Sequence, residues 1–562
     1  MVRRVLQMLQ REVSGLHEAA YLLAFFAFLS QFLGFVRDRF FAAEFGAGSV
    51  LDVYYAAFRL PDIVLATASA VVSVSILIPF LIDKASKGKN EEKVFVDSIF
   101  TVFFAGISGI SIILFFLVPY IMPVLFPGLN ESSKEGMLIM LTRIMLLQPI
   151  FLGLSNLFAS VTQVYKKFFV YAISPIVYNA GIIIGVLVFY PLWGVSGLAW
   201  GVVLGAVFHM AVQLPVLYGR DLVPSFRKNI NWKDIKQVVF VSLPRTLALS
   251  TSQFSTLFLV MFASVIGTGS IAVFNFAWNL QSVPLVIVGL SYSVAAFPTL
   301  VRLFSDGKND EFMSHIVGAA KQIIFWSLPA TILFIVLRAQ IVRVILGAGH
   351  FSWTDTRLVA ASLALFAVSV LAQSMVLLFV RGYYARGETV RPLVVNFGGA
   401  ILVVVFGIAF MRLFDASQFF RYFVESLLKV SDLPGTKVLM LPLAYSTATL
   451  INMGVFWIMV SRDLPGFSAR LRNVLFQSFS GSVIMGFATY LFLNLLDDIF
   501  NVQTTLGIFA QGLFSGVVGI AVGMMVLYFL GSEDVSVAWR TLHKKMWKAK
   551  PIGTDASEGT TL

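Results

Sequence analysis

Fourteen apolar stretches follow one another along this chain, near 19–43, 51–82, 95–126, 137–163, 168–190, 195–218, 237–265, 270–303, 314–346, 356–385, 390–412, 437–461, 473–496 and 505–530. Each reaches the ~20 residues needed to cross the hydrocarbon core of a bilayer. No water pairs with backbone N–H and C=O groups in that medium, so spans of this length must close their hydrogen bonds internally as helices. The expected fold class is therefore all-α and integral to a membrane, with about fourteen transmembrane helices. With 58% of residues hydrophobic and only 12% charged, a water-soluble domain could not hide so much apolar side chain.

The net charge of +12 raises the possibility of a nucleic-acid partner, but the basic residues fall in alternate loops. One set carries Arg3, Arg4 and Arg11; Lys84, Lys87, Lys89 and Lys93; Lys166 and Lys167; Arg227, Lys228, Lys233 and Lys236; Lys308; Arg386 and Arg391; and Arg462, Arg470 and Arg472. The other set is nearly empty, with Lys134, Arg421 and Lys429 as its main exceptions. The positive-inside rule then puts both termini in the cytoplasm, and the even helix count agrees. The first span is too long for a signal-peptide core and is expected to be retained. No cysteine occurs, and His17, His209, His315, His350 and His543 form no local pair at ligand spacing. Neither a metal nor any other cofactor is expected.

The chain is also duplicated. Gly46-Ala47-Gly48-Ser49 before one long apolar stretch recurs as Gly267-Thr268-Gly269-Ser270 about 220 residues later, and Pro175-x-x-x-Asn179 recurs as Pro392-x-x-x-Asn396. Two six-helix lobes of the same orientation are expected, related by an axis along the membrane normal, with the last two helices outside the repeat. The expected organisation is a cytoplasmic segment at 1–18, a first lobe at 19–218, a cytoplasmic linker at 219–236 and a second lobe at 237–461 carrying an outer insert at 413–436. Two further helices at 473–530 and a basic cytoplasmic tail at 531–562 complete it. Within the insert, Ser417 to Val430 has helical amphipathicity suited to the membrane interface. The tail mixes Trp539 and Trp547 with Arg540, Lys544, Lys545, Lys548 and Lys550, a composition suited to an anionic inner leaflet.

Polar residues concentrate in the first two helices: Arg37, Asp38, Arg39, Glu44, Asp52, Arg59 and Asp62. A charge at the bilayer centre costs about 2.5 kcal/mol or more, so this group must face a cavity, the interface or one another. Asp52, Tyr55, Arg59 and Asp62 follow i, i+3, i+7 and i+10 and stripe one side of the second helix, with Pro61 beside Arg59. Two readings fit: the stripe lines the space between lobes, or the acids neutralise Arg37 and Arg59 and hold the lobe together. The second lobe offers Asn275, Asn279 and Gln281 beside Trp278 at the matching place, and Arg245 adds a cation in the seventh helix. Guanidinium groups bind phosphate oxygens through paired donors, so Arg37, Arg59 and Arg245, with Asn275 and Asn279, are the expected binding residues for an anionic head group. Asp38, Asp52 and Asp62 are the expected gating or ion-pair residues. His209 and Gln213 are expected to bond from helix to helix. No Gly-x-x-x-x-Gly-Lys-[Ser/Thr] loop is present to hydrolyse ATP, and no carboxylate or histidine constellation suggests an embedded transferase.

Leu33-Gly34-Phe35-Val36-Arg37-Asp38, Phe45-Gly46-Ala47-Gly48 with Asp52, Ala57-Phe58-Arg59-Leu60-Pro61-Asp62 and Ile78-Pro79 together resemble the amino-terminal signature of the MurJ/MviN lipid II flippases. Phe304-Ser305-Asp306-Gly307, Gly347-Ala348-Gly349-His350-Phe351 and Tyr383-Tyr384-Ala385-Arg386 before Pro392 extend the resemblance over roughly 20–530. It implies the MOP exporter superfamily, with two six-helix lobes plus two carboxy-terminal helices in a MATE-like arrangement. It further implies a bacterial inner-membrane protein that flips an undecaprenyl-pyrophosphate-linked peptidoglycan precursor outward by alternating access. Lobe-lining arginines would hold the pyrophosphate, and the extra helices would offer a groove for the lipid tail. By position, Arg37 and Asp38 match the family's first-helix pair, Asp52 its second-helix acid and Arg59 its basic residue before Leu-Pro. The chain departs from the pattern at Gln31, at Leu65-Ala66 and Ala70-Val71, and at Trp278-Asn279 where an Asp-Arg pair is frequent. Two other readings stand beside this one. The first is an exporter of another polyprenyl-linked saccharide or amphiphile; the second is a non-transporting scaffold for cell-wall enzymes.

Overall fold

The computed structural model describes residues 16–71, 74–532 and 535, with side chains placed from residue 22 onward except at 69–75, 241, 243–250 and 252. The basic tail around Trp539 to Lys550 lies outside the described residues. The first lobe comprises α1 (Leu16–Phe45), α2 (Ser49–Val71), α3 (Val74–Lys87), α4 (Lys89–Leu125), α5 (Ser132–Met145), α6 (Gln148–Val164), α7 (Phe168–Ile184) and α8 (Val195–Ala211). The second comprises α9 (Trp232–Ile266), α10 (Ser270–Pro284), α11 (Ser291–Ser305), α12 (Asn309–Val336), α13 (Arg338–Leu346), α14 (Trp353–Ala367), α15 (Val370–Ala385), α16 (Val390–Ala416), α17 (Gln418–Leu428) and α18 (Met440–Asp463). Finally α19 (Phe467–Leu495) and α20 (Thr505–Phe529) pack against each other, and α19 lies along α12. Among the described residues ten helical runs are long and apolar enough to span a membrane, and α14 with α15, bent by 42°, makes an eleventh. The remaining three expected places are taken by α1, by α2 with α3, and by α9.

Small residues set the closest helix approaches. A Cβ on Gly181 would meet the Gly205 backbone, and one on Gly185 would meet Gly201, so the glycine ladders of α7 and α8 are the contact itself. His209 and Gln213 both bond Ser155 of α6, at 2.7 and 2.5 Å, which is the helix-to-helix role expected of them. The run from α10 to α11 passes through a π-helical segment, Leu285–Leu290, just after Pro284. Helices often loosen in this way where they line a functional space.

The repeated Gly-x-Gly-Ser turns meet each other. Gly46 ends α1 and Gly269 begins α10, both in the left-handed region at φ 58° and 86°. A side chain on Gly269 would strike the carbonyl of Ala47. Around this junction Phe41 and Tyr54 from the first lobe join Phe274, Phe276 and Phe351 from the second in one buried cluster. At the opposite end of the bundle the linker runs along α4, with Ser225 and Arg227 bonded to Asp97 and Thr101, while Lys84 pairs with Asp234 at 2.6 Å.

The insert forms α17, one residue after α16 ends. Its inward face carries Glu425, which is buried and bonded to Arg421 and Thr436. Its outward face is apolar, with Phe419 83%, Tyr422 61%, Phe423 56% and Leu427 64% exposed.

Candidate functional site

The lobes are joined at the Gly46 end by side chains that complete the other lobe's helices. α10 starts at a glycine and so has no capping side chain of its own. Asp52, 2% exposed on the first turn of α2, supplies one by accepting hydrogen bonds from the N–H groups of Gly269 at 2.5 Å and Ala272 at 2.9 Å. The helix's unpaired donors and positive end meet a carboxylate. Arg39 performs the converse at α13, donating from Nη1 to the carbonyls of Val344 at 2.7 Å and Ile345 at 3.2 Å in the last turn. A backbone bond from His350 N to Ala43 O, at 2.8 Å, lies between them. Anion at a helix start and cation at a helix end make this junction specific as well as closed.

Deeper in the bundle a polar chain crosses between the lobes. Arg37 donates through Nε and Nη2 to Asp38 at 2.9 and 2.8 Å, and through Nη1 to Asn179 at 3.1 Å. The second oxygen of Asp38 accepts from Asn279 of α10 at 2.9 Å. Asn179, from the repeated Pro-x-x-x-Asn motif, therefore orients the cation in the first lobe. Its counterpart Asn396 accepts from Asn452 in the second, at 3.1 Å. Arg59 donates from Nη2 to Asn275, whose own amide donates to Ile271 O at 2.8 Å, while the Arg59 Nε is buried without a partner. A half-buried guanidinium with a donor unused is poised for an acceptor that enters from outside the protein.

That acceptor has somewhere to sit. A cavity of about 530 Å³ opens beside Arg59 and Asp62, walled on the second-lobe side by Trp278, Gln373, Tyr445 and Asn452 among others. This is the size range of small-ligand sites. Among the described residues no group of three or more histidine, aspartate or glutamate side chains could hold a metal ion.

The expected residues thus divide by place. Arg59 and Asp62 line the cavity; Arg37, 22% exposed at its side chain, lies with Asp38 and Asn279 in the crossing chain; Asn275 holds Arg59; Asp52 lies at the junction and bonds backbone N–H groups rather than a guanidinium. Arg245 lies on α9, but its side chain is outside the described residues. Sequence reasoning gave no role to Arg39 or to the amides that line the cavity. Arg39 was visible only as one more charge beside Arg37 and Asp38, because the carbonyls it serves lie about 300 residues away. Gln373 and Asn452 carried a signal of their own, as amides inside apolar spans.

Two lobes closed on each other at one end, a polar cavity between them and two appended helices define a polytopic membrane protein with a two-lobed, MOP-type fold. The fold superposes on an inward-facing multidrug resistance MATE family transporter of the MOP superfamily with a TM-score of 0.60 at 16% identity, covering 79% of this chain and 96% of that one. It superposes on a structure of the lipid II flippase MurJ in an inward closed conformation with a TM-score of 0.72 at 20% identity, covering 93% and 99%. Similarity in sequence is narrower in kind. The lipid II flippase MurJ of Burkholderia cenocepacia is 24% identical over 407 residues, 71% of this chain and 79% of the relative. A probable lipid II flippase MurJ of Buchnera aphidicola subsp. Schizaphis graminum is 27% identical over 371 residues, 65% and 72%. The profile of the family described as lipid II flippase MurJ matches residues 41–511, and the chain belongs to that family.

Proposed function

We propose that this protein carries lipid II, an undecaprenyl-pyrophosphate-linked peptidoglycan precursor, from the inner to the outer leaflet of the bacterial inner membrane. The observation that carries the reading is Arg59, half-buried at the wall of a central cavity with its Nε unpaired. A pyrophosphate oxygen is the acceptor such a donor suits, and in a low-dielectric chamber a charge-assisted bond of this kind is strong. Arg37 lies in the adjoining network, where Asp38 balances its charge.

With both termini cytoplasmic, the Gly46 end faces outward, and the closed junction of Asp52 and Arg39 is the outer gate. The state described is then the one that loads from the cytoplasmic leaflet. Opening outward requires Asp52 to leave α10 and Arg39 to leave α13 while the lobes rock about the cavity. α19 lies along α12 and α20 against α19 and α13, outside the lobes, where a polyprenyl tail can stay in lipid as its head crosses. Membrane lipids are the standing environment, and cell-wall synthesis proteins are the expected partners on either side of this step.

The test is depletion of the protein in a strain without a redundant flippase, followed by enzymatic probing of lipid II on the outer face. Loss of exposed lipid II supports the reading. Unchanged exposure removes it and leaves the scaffold reading, in which Arg37 and Arg59 variants would still complement.

A further inference from the structure

The cavity wall has two chemically different halves. Among the described residues that line it, only Arg59 and Asp62 are of a basic or acidic type, and their charges are opposite. The rest of its polar lining is neutral and comes almost wholly from the second lobe: the amides Gln253, Gln373, Asn396 and Asn452, a few hydroxyls, and the rings of Trp278 and Tyr445. A site meant only for pyrophosphate would gain nothing from this half.

These groups are held in fixed orientations. Gln373 donates to Gln281 at 3.0 Å and to Ser369 at 2.9 Å, and its oxygen accepts from the Tyr445 hydroxyl at 3.1 Å. The Tyr445 ring stands edge-on to Trp278, with centroids 4.9 Å apart at 74°. Asn452 donates to Asn396, yet its Oδ1 is buried with no partner in the protein. Gly399 is what lets α16 come this close to Asn452, since a Cβ there would meet that amide at 3.0 Å. The wall is thus preorganised, and it keeps an acceptor in reserve.

Amides both donate and accept, which matches hydroxyl and acetamido groups that do the same. Aromatic faces accept the apolar C–H side of a pyranose ring while their polar edges stay bonded elsewhere. We infer that the second-lobe wall of Trp278, Gln373, Tyr445, Asn396 and Asn452 is a saccharide-recognition surface, which selects lipid carriers loaded with sugar over the bare polyprenyl pyrophosphate that Arg59 alone would hold. This rests on the carrier reading above and adds to it where selectivity resides. Such selectivity matters physically, because the unloaded carrier shares the lipid tail and the phosphates, so only the sugar distinguishes cargo. A site whose buried amides are satisfied by ligand hydroxyls rejects an analogue lacking them, because those amides are then left unpaired.

The experiment uses the full chain in lipid nanodiscs, with native mass spectrometry reading the binding of lipid II and of undecaprenyl pyrophosphate. The wild type is expected to favour lipid II by at least about 10-fold, the worth of one or two hydrogen bonds. Gln373→Leu and Asn452→Leu should each lower lipid II binding by roughly 10-fold and leave undecaprenyl pyrophosphate within about twofold. Tyr445→Phe, which keeps the ring and removes one hydroxyl, covers the case in which a leucine variant fails to fold, and should show a smaller loss in the same direction. Arg59→Ala should weaken both ligands in parallel. Equal wild-type binding of the two ligands, or wall variants that weaken both alike, overturns the saccharide surface while the carrier reading stands. Binding of neither ligand by the wild type overturns both.

Discussion

Arg59 and Asp52 show how two charges on one helix face come to do different things. They lie seven residues apart on α2, yet Asp52 is consumed by two backbone N–H groups and Arg59 keeps a donor free. Arg59→Ala is expected to abolish complementation at unchanged protein level. Arg59→Lys should restore it only in part, since an ammonium cannot reproduce a planar pair of donors. Full activity in both variants would remove Arg59 from the site. Asp52→Asn retains shape and loses the charge that complements α10, a change of about 1–2 kcal/mol by the usual scale of caps and helix dipoles. The ratio of closed to open states should then fall roughly 5- to 30-fold. Because the chain contains no cysteine, Ala47→Cys offers a single thiol at the junction, and its labelling by an impermeant maleimide should quicken accordingly. An unchanged labelling rate would mean that Asp52 does not hold the gate.

Elements carry the next layer of meaning, and α17 is the clearest case. Its amphipathicity is plain in the sequence, but which face turns to the protein is not, because the stripe of Phe419, Tyr422, Phe423 and Leu427 could equally have packed inward. The structure turns it out and buries Glu425 instead, because Arg421 and Thr436 satisfy the carboxylate. An exposed apolar stripe starting one residue past a spanning helix belongs at the bilayer boundary. A nitroxide on Phe423→Cys should therefore be relaxed more by oxygen than by a water-soluble nickel chelate. The opposite ranking would place α17 in water. The α7 and α8 contact, by contrast, has a plain sequence pattern, because Gly181 and Gly185 and then Gly197, Gly201 and Gly205 recur at helical spacing, and small residues so placed have few other uses inside a membrane.

At the scale of the whole molecule the proposed mechanism requires the junction between the lobes to open and close. The backbone bond between Ala43 and His350 puts these positions in contact across the junction, so a disulfide formed between cysteines placed there would hold it shut. An Ala43→Cys, His350→Cys double variant should lose complementation on oxidation and regain it with reductant. Activity that persists in protein shown by gel shift to carry the disulfide would exclude alternating access through this gate.

What the sequence by itself determined is the helical class, the run of spans, the duplication and the charged α2 stripe. Each follows from the chain's own hydropathy and spacing, because a backbone crossing hydrocarbon must be helical whatever its neighbours are. Only the tertiary structure decided that Asp52 serves the start of α10, that Arg39 serves the end of α13, and that neutral amides from α15, α16 and α18 gather opposite Arg59. Those partners are backbone groups or uncharged side chains, some more than 200 residues distant, and they carry no pattern until the lobes dock.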